Sequence, residues 1–334
     1  MQLPPVAATT VGSFPRPTWF GPLQSEDPAV RHEAQDDATV VVLRVQEEAG
    51  LELVSDGEQR RAEGFIHHVL GGMEGFDLTR KRGKIIRRNR SGREREVPVV
   101  VGKVRRTGPI VVDDLRFAKA HTDLPVKMTV PGPLSAVDST YDEVYGDERA
   151  LAMDIAVAIN EEILALQAAR CDVVQIDEPA MTRYHDKTAE YGLEALERCL
   201  EGVTIPTLVH LCYGYPGGDR GGGQHEYTYP DLLEMLLETR IGGFSLEFAR
   251  SGYDPEILKG TGDRLVMYGC IDPGDSPVEP LPEVVSRVRT ALRYVEPERL
   301  MIAPDCGLMT VSRELARAKA ALLGTAAREV RKTL

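Results

Sequence analysis

The run Cys171-Asp172-Val173-Val174-Gln175-Ile176-Asp177-Glu178-Pro179 decides the fold class. Val173, Val174 and Ile176 make a short apolar stretch. Two carboxylates and a proline close it. It reads as a buried strand that ends at a polar rim. The preceding residues, Glu148–Arg170, read as an amphipathic helix. The same unit recurs in both directions. Further candidate strands are Ala8–Ser13, Leu51–Asp56, Val126–Val130, Thr207–Cys212, Gly243–Glu247, Arg264–Asp272 and Arg299–Asp305. Further helical runs are Arg31–Ala49, Tyr191–Leu200, Tyr229–Thr239, Pro255–Lys259, Pro282–Tyr294 and Ser312–Lys332, the last with Ser312 as its N-cap. Strands alternating with helices predict parallel β/α units, and eight such strands fill one (β/α)8 TIM barrel. An open doubly wound sheet is the alternative. Neither a repeat nor an interdomain linker is apparent, so residues 1–334 read as a single domain.

Two segments break the rhythm. Asp77–Pro98 carries Arg80, Lys81, Arg82, Lys84, Arg87, Arg88, Arg90, Arg93 and Arg95. With Val99–Val104 and Ile110–Val112 as strands, it predicts a basic hairpin inserted after the second barrel strand, over residues 77–112. Its plainest reading is a solvated ribbon; a dock for an acidic or phosphate-bearing partner is the other. The second segment, Tyr213–Tyr229, is rich in glycine and reads as a loop that closes over the site, with Gly214–Gly223 at its centre.

Composition excludes several classes. Lys and Arg number 40 and Asp and Glu 52, a net charge of −12, which disfavours nucleic acid as a partner. No apolar run is long enough to span a membrane. The start, MQLPPVAATTVGSF, lacks the basic leader and apolar core of a signal peptide. Five cysteines in 334 residues are no disulfide framework, so the expected location is the reducing cytoplasm.

Polar residues stand at the carboxyl ends of the strands: Ser13, Asp56 with Glu58, Asp177 with Glu178, His210 with Cys212, Glu247, Asp272, and Asp305 with Cys306. A barrel gathers all of these at one mouth. His210 and Cys212 are two residues apart and share one side of their strand. With Glu247 and Cys306 they offer two thiolates, an imidazole and a carboxylate, a donor set suited to tetrahedral Zn²⁺ and not to Mg²⁺ or Ca²⁺. The competing reading makes the two cysteines small buried apolar groups and His210 a hydrogen-bonded core histidine. Cys171, Cys199 and Cys270 are assigned to packing. His67, His68 and His185 read as exposed loop or helix residues.

Thr10-Val11-Gly12-Ser13-Phe14-Pro15, Asp56-Gly57-Glu58, Gln175-Ile176-Asp177-Glu178-Pro179-Ala180, His210-Leu211-Cys212, Ser245-Leu246-Glu247 and Pro304-Asp305-Cys306-Gly307 together resemble the catalytic barrel of cobalamin-independent methionine synthase. The matches run in family order over nearly the whole chain. The resemblance implies zinc on His210, Cys212, Glu247 and Cys306, holding the thiol of homocysteine. It implies Glu58 and Asp177 at the homocysteine ammonium, and the Gly12-Ser13 turn at its carboxylate. Other roles open to these residues are an ion pair of Glu58 with Arg60 or Arg61, and a helix cap by Asp177. Phe14, Tyr213 and Met309 would shape the pocket.

The donor side departs from the family. Its stacking tryptophan falls at Ser139, a glutamate at Arg183, an Arg-Cys pair near Arg93-Glu94, and the proton-donating histidine at Asp272. Full-length members also have an N-terminal barrel that helps to bind folate. These differences imply a zinc-dependent S-methyltransferase that makes methionine from homocysteine. Its donor would be other than folate polyglutamate, such as a methylcorrinoid or a methyl-donor protein, and Asp272 would handle the proton. The alternatives are an alkyltransferase for another small thiol and a non-catalytic zinc-binding protein.

Overall fold

A computed structural model describes residues 3–23, 27–61, 64–88, 91–213, 229–274 and 276–334. Ten strands occur among them: β1 (Ala7–Ala8), β2 (Met73–Arg88), β3 (Ser91–Arg106), β4 (Lys127–Pro131), β5 (Tyr141–Asp142), β6 (Val173–Asp177), β7 (Thr207–Leu211), β8 (Gly243–Glu247), β9 (Leu265–Ile271) and β10 (Leu300–Pro304). Seven form one parallel sheet in the order β1-β10-β9-β8-β7-β6-β4. Residues 53–54 close the ring. Thr9 bridges Leu53 and Val54 bridges Val126, both in parallel. Eight strand positions therefore make a TIM barrel, and the open sheet is excluded.

Two predicted strands are shorter than expected. Ala8–Ser13 is reduced to β1, and Leu51–Asp56 to single bridges. Side chains replace ladder bonds there. The Gln46 amide bonds both backbone groups of Ser55, Thr9 Oγ1 donates to the Leu53 carbonyl at 2.7 Å, and Ser55 Oγ donates to the Gly12 carbonyl at 3.0 Å. Backbone groups satisfied this way need no neighbouring strand.

Strand parity sorts the side chains into two cores. Val174, Ile176, Val209, Leu211, Phe244, Leu246, Leu300 and Ile302 point outward and join the large core beneath the helices. Val173, Leu208, Met267, Met301 and Ala303 fill the barrel with Ala7, Val11 and Leu53. The inward positions above this plug are Gln175, Asp177, His210, Ser245 and Glu247, all buried. An apolar floor and a polar upper layer thus follow from one alternating pattern. Helix Glu148–Ala168 is capped by Asp147, which accepts from the Arg149 amide at 2.9 Å. Ser312 caps Arg313–Arg331 by accepting from Leu315 N at 3.1 Å, as expected.

The hairpin differs from expectation. β2 and β3 pair antiparallel, so the basic segment is itself a strand. Ile110–Val112 is not a strand; Val112–Ala120 is a helix. Glu162 causes the change by accepting from the amides of Ile110 and Val111 at 3.1 and 2.7 Å. That binds the chain to helix Glu148–Ala168 and turns it into the next helix. Arg80 and Arg82 bond the Glu143 carboxylate at 2.7 and 3.1 Å. Pro255–Thr261 is a 3₁₀-helix. His185 is buried, not exposed, in the short helix His185–Lys187. Most of the glycine-rich segment, residues 214–228, lies outside the described residues. No helix among the described residues is long and apolar enough to cross a membrane.

Candidate metal centre and amino-acid pocket

β7 and the turn after β10 bring three of the four expected ligands together. One donor atom each from His210, Cys212 and Cys306 lie within 4.8 Å of one another. His210 Nδ1 is paired with Ser245 Oγ at 2.8 Å, while the buried Nε2 makes no well-formed hydrogen bond and has the Cys212 thiol beside it. A thiol is a weak partner for a buried imidazole nitrogen, and a soft divalent ion would satisfy that nitrogen and both sulfurs. The residues therefore fit zinc. Ser245 is the outer partner that fixes the ring. Ser245→Ala should weaken zinc affinity roughly ten- to hundred-fold, measured by competition with a chelator. An unchanged affinity would deny Ser245 that role.

Glu247, the fourth expected ligand, is not in the close group. Its Oε2 accepts from Tyr213 N at 3.1 Å, and it lies near enough to both thiols to interact electrostatically. Burial, then Asp305 and Cys212, push its carboxyl up to about 9. The hydrogen bond between the two thiols, burial and the charges of Cys212 and Glu247 hold the Cys306 thiol well above its usual range. Such a cluster of acids is poised to lose protons to a cation. Asp305 anchors the neighbouring loop by accepting from the amides of Phe248, Ala249 and Arg250. Cys171, Cys199 and Cys270 lie in the outer core, as assigned.

The expected amino-acid pocket adjoins this cluster. Gly57 and Glu58 both have left-handed backbones, with φ of 63° and 55°. That conformation is uncommon for a glutamate. Asp56 Oδ1 supports the turn by accepting from Glu58 N at 3.0 Å. Thr129 Oγ1 donates to Glu58 Oε1 at 3.0 Å, and a Cβ on Gly12 would stand 2.7 Å from the same oxygen. Gly12 is thus needed for the turn to approach the carboxylate. Ser13 joins the metal side: its carbonyl accepts from Leu308 N at 2.9 Å, beside Cys306. Asp177 Oδ1 accepts from Gln175 Nε2 at 2.7 Å. Burial raises the pKa of Asp177, and that of Glu58 to about 7. Arg61 lies only loosely beside Glu58, at 3.9 Å.

Two cations lie in the interior: Arg61, whose pairing with Glu58 the sequence left open, and Lys127, which the sequence did not single out. Lys127 is 0% exposed and Arg61 1%. Arg61 Nη1 donates to Thr129 Oγ1 at 2.8 Å, and Lys127 Nζ donates to the Val11 carbonyl and to Gln175 Oε1. Burial lowers the Lys127 pKa to about 8 against the pull of Asp177, Glu58 and Asp56. The available signal was parity: Lys127 shares its strand face with Thr129. Asp272 follows β9, with its side chain 23% exposed. Its Oδ1 accepts from Gly274 N at 2.8 Å and lies 3.6 Å from Arg250 Nε. Phe14 belongs to the large core, and the Tyr213 ring packs on Tyr229 and Tyr253, with centroids 5.1 and 5.7 Å apart. Arg183 pairs with Asp138 at 2.8 Å, immediately before Ser139.

A family model described as cobalamin-independent synthase, catalytic domain, matches residues 6–329. The methionine synthase of Sulfurisphaera tokodaii is 32% identical over 328 residues, covering 94% of this chain and 89% of that protein. That of Pyrococcus abyssi is 30% identical over 345 residues, covering 100% and 95%. The solved structure of a B12-independent methionine synthase from Shewanella sp. W3-18-1, in complex with selenomethionine, superposes with a TM-score of 0.88. It is 30% identical, with 98% of each chain covered. Family match, full-length relatives and a barrel with the motif residues at its mouth agree: the chain belongs to the cobalamin-independent methionine synthase family and is a methyltransferase.

Proposed function

We propose that this enzyme methylates the thiol of homocysteine to methionine, with zinc as its metal and a donor other than folate polyglutamate. One observation carries the reading. The His210, Cys212 and Cys306 donors and the buried Glu58 and Asp177 carboxylates share one end of the barrel, so one molecule with a thiol and an ammonium can meet both. Glu247 completes the ligand set in this reading.

Bound to these side chains, zinc would supply the positive charge that makes a thiolate available at neutral pH. Glu58 and Asp177 hold the substrate ammonium, and the Gly12-Ser13 turn receives its carboxylate. Held at two ends, the sulfur is aligned for in-line attack. A sulfur–carbon bond forms while the carbon–donor bond breaks, its electron pair leaving with the donor. Asp272 takes the role of handling the released thiol proton in this reading, its partly exposed side chain giving access to water.

The donor reading has its own support. The positions corresponding to the family's stacking tryptophan and a pterin-side glutamate are Ser139 and Arg183. Ser139 offers no ring for a pterin to stack on, and Arg183 is tied to Asp138, which also accepts from the Tyr184 hydroxyl. A methylcorrinoid, free or carried by a protein, fits better. The five cysteines are all unbridged, which suits a reducing cytoplasm.

The test is methyl transfer by zinc-loaded protein from methylcobalamin to homocysteine, with Cys306→Ser as blank. Metal-dependent methionine is expected. Asp272→Asn should lower kcat and leave the homocysteine KM unchanged. Replacing homocysteine by 2-mercaptoethanesulfonate should give no product, because two carboxylates repel a sulfonate. Product from the sulfonate alone would move the enzyme to the other thiol class. Methionine from methyltetrahydrofolate polyglutamate but not from methylcobalamin would overturn the donor reading.

A further inference from the structure

Lys127 is the first residue of β4, and its side chain runs inside the barrel. It shares register with Val173 of the apolar plug, yet its ammonium reaches upward to the polar layer. An ammonium buried this completely is rare unless it is paired, and its presence demands a reason. Its hydrogen-bond partners lie in two different parts of the amino-acid pocket. One is the carbonyl of Val11, directly before the Gly12-Ser13 turn. The other is Gln175 Oε1, whose amide nitrogen donates to Asp177 Oδ1 at 2.7 Å.

The Gln175 contact has a directional consequence. A lysine ammonium has donors only, so it can donate only to the oxygen end of the Gln175 amide. The NH₂ end must then face Asp177, which as a carboxylate can only accept. The chain Lys127–Gln175–Asp177 is therefore consistent in one orientation only. One Asp177 oxygen is occupied, which sets the direction of the other.

We propose that Lys127 is a positioning residue for amino-acid recognition, holding the carboxylate-binding turn through Val11 and the ammonium-binding Asp177 through Gln175. The proposal rests on the reading that Glu58, Asp177 and the Gly12-Ser13 turn hold the amino-acid end of the substrate. It places specificity for an α-amino-acid thiol, against a plain alkyl thiol, on a residue that touches neither the sulfur nor the metal ligands.

The test compares two thiols by calorimetric titration of zinc-loaded protein: L-homocysteine, and propane-1-thiol, which is the same chain without ammonium and carboxylate. In Lys127→Met, homocysteine should bind at least about ten-fold more weakly, the size expected for a lost charge-assisted hydrogen bond. Propane-1-thiol affinity and zinc content should stay within about two-fold. Homocysteine affinity unchanged, or both thiols weakened in parallel, overturns the proposal. Should Lys127→Met fail to fold, Gln175→Glu decides. It keeps an acceptor for Lys127 but turns the donor toward Asp177 into a repelling charge. The same selective loss of homocysteine is expected, and unchanged affinity overturns the proposal. Wild-type protein that binds homocysteine no better than propane-1-thiol would refute the underlying pocket reading before any variant is made.

Discussion

Cys306→Ser should lose the metal and the activity in one step. Cys306 is the expected ligand supplied by the turn after β10; His210 on β7 and Cys212 directly after it cannot close a tetrahedral site by themselves. A serine hydroxyl does not ionise as a thiol does, so the replaced site offers a weak neutral donor where a thiolate stood. Metal content should fall from about one ion per chain to near zero, and methionine formation by well over a hundred-fold. That floor is set by the roughly ten- to hundred-fold lost when only an outer partner of a metal ligand is removed. Elemental analysis and the methyl-transfer assay on the same preparation measure both. Cys199→Ser is the control, because Cys199 lies in the outer core with its Sγ against the Ala156 carbonyl. It should keep its metal. Full activity in metal-free Cys306→Ser would end the thiol-activation mechanism.

Asp177→Asn should separate the two halves of the site. The amide has the shape of the carboxylate and can still accept from Gln175 Nε2, so the packing should survive. What disappears is the charge opposite the substrate ammonium. A hydrogen bond to a charged group contributes about 1.5–3 kcal/mol, so the homocysteine KM should rise roughly ten- to hundred-fold. Zinc content should not change, and kcat should fall less than kcat/KM. Metal must be assayed in the variant, since Asp177 also raises the proton affinity of His210. Unchanged homocysteine affinity would show that the ammonium is held elsewhere.

The outcome of these experiments depends on residues of two kinds, and they differ in how far the sequence discloses them. The candidate ligand positions were legible because strand parity and strand ends are local properties. His210-Leu211-Cys212 places two donors on one face whatever surrounds it, and the strand ends gather at one mouth once the chain is a barrel. The basic hairpin was legible in composition but not in pairing. Its long side chains are solvated equally well on a loop or on a ribbon, so charge alone does not choose.

The β/α alternation and the layering of each strand into an outward apolar and an inward polar face were determined by the sequence itself. Each follows from side-chain period and residue type within one short segment. The tertiary structure decided the rest. Leu51–Asp56 keeps only single bridges because Gln46, on a preceding helix, takes up the backbone of Ser55. Ile110–Val112 becomes a turn into a helix because Glu162, 51 and 52 residues further along the sequence, captures the amides of Val111 and Ile110. Lys127 looks like any charged strand residue until the ring closes and sets it between Val11 and Gln175. These are hydrogen bonds and charge pairings between distant segments. Their free energy exists only when the partners are already in place, so no window of sequence contains it.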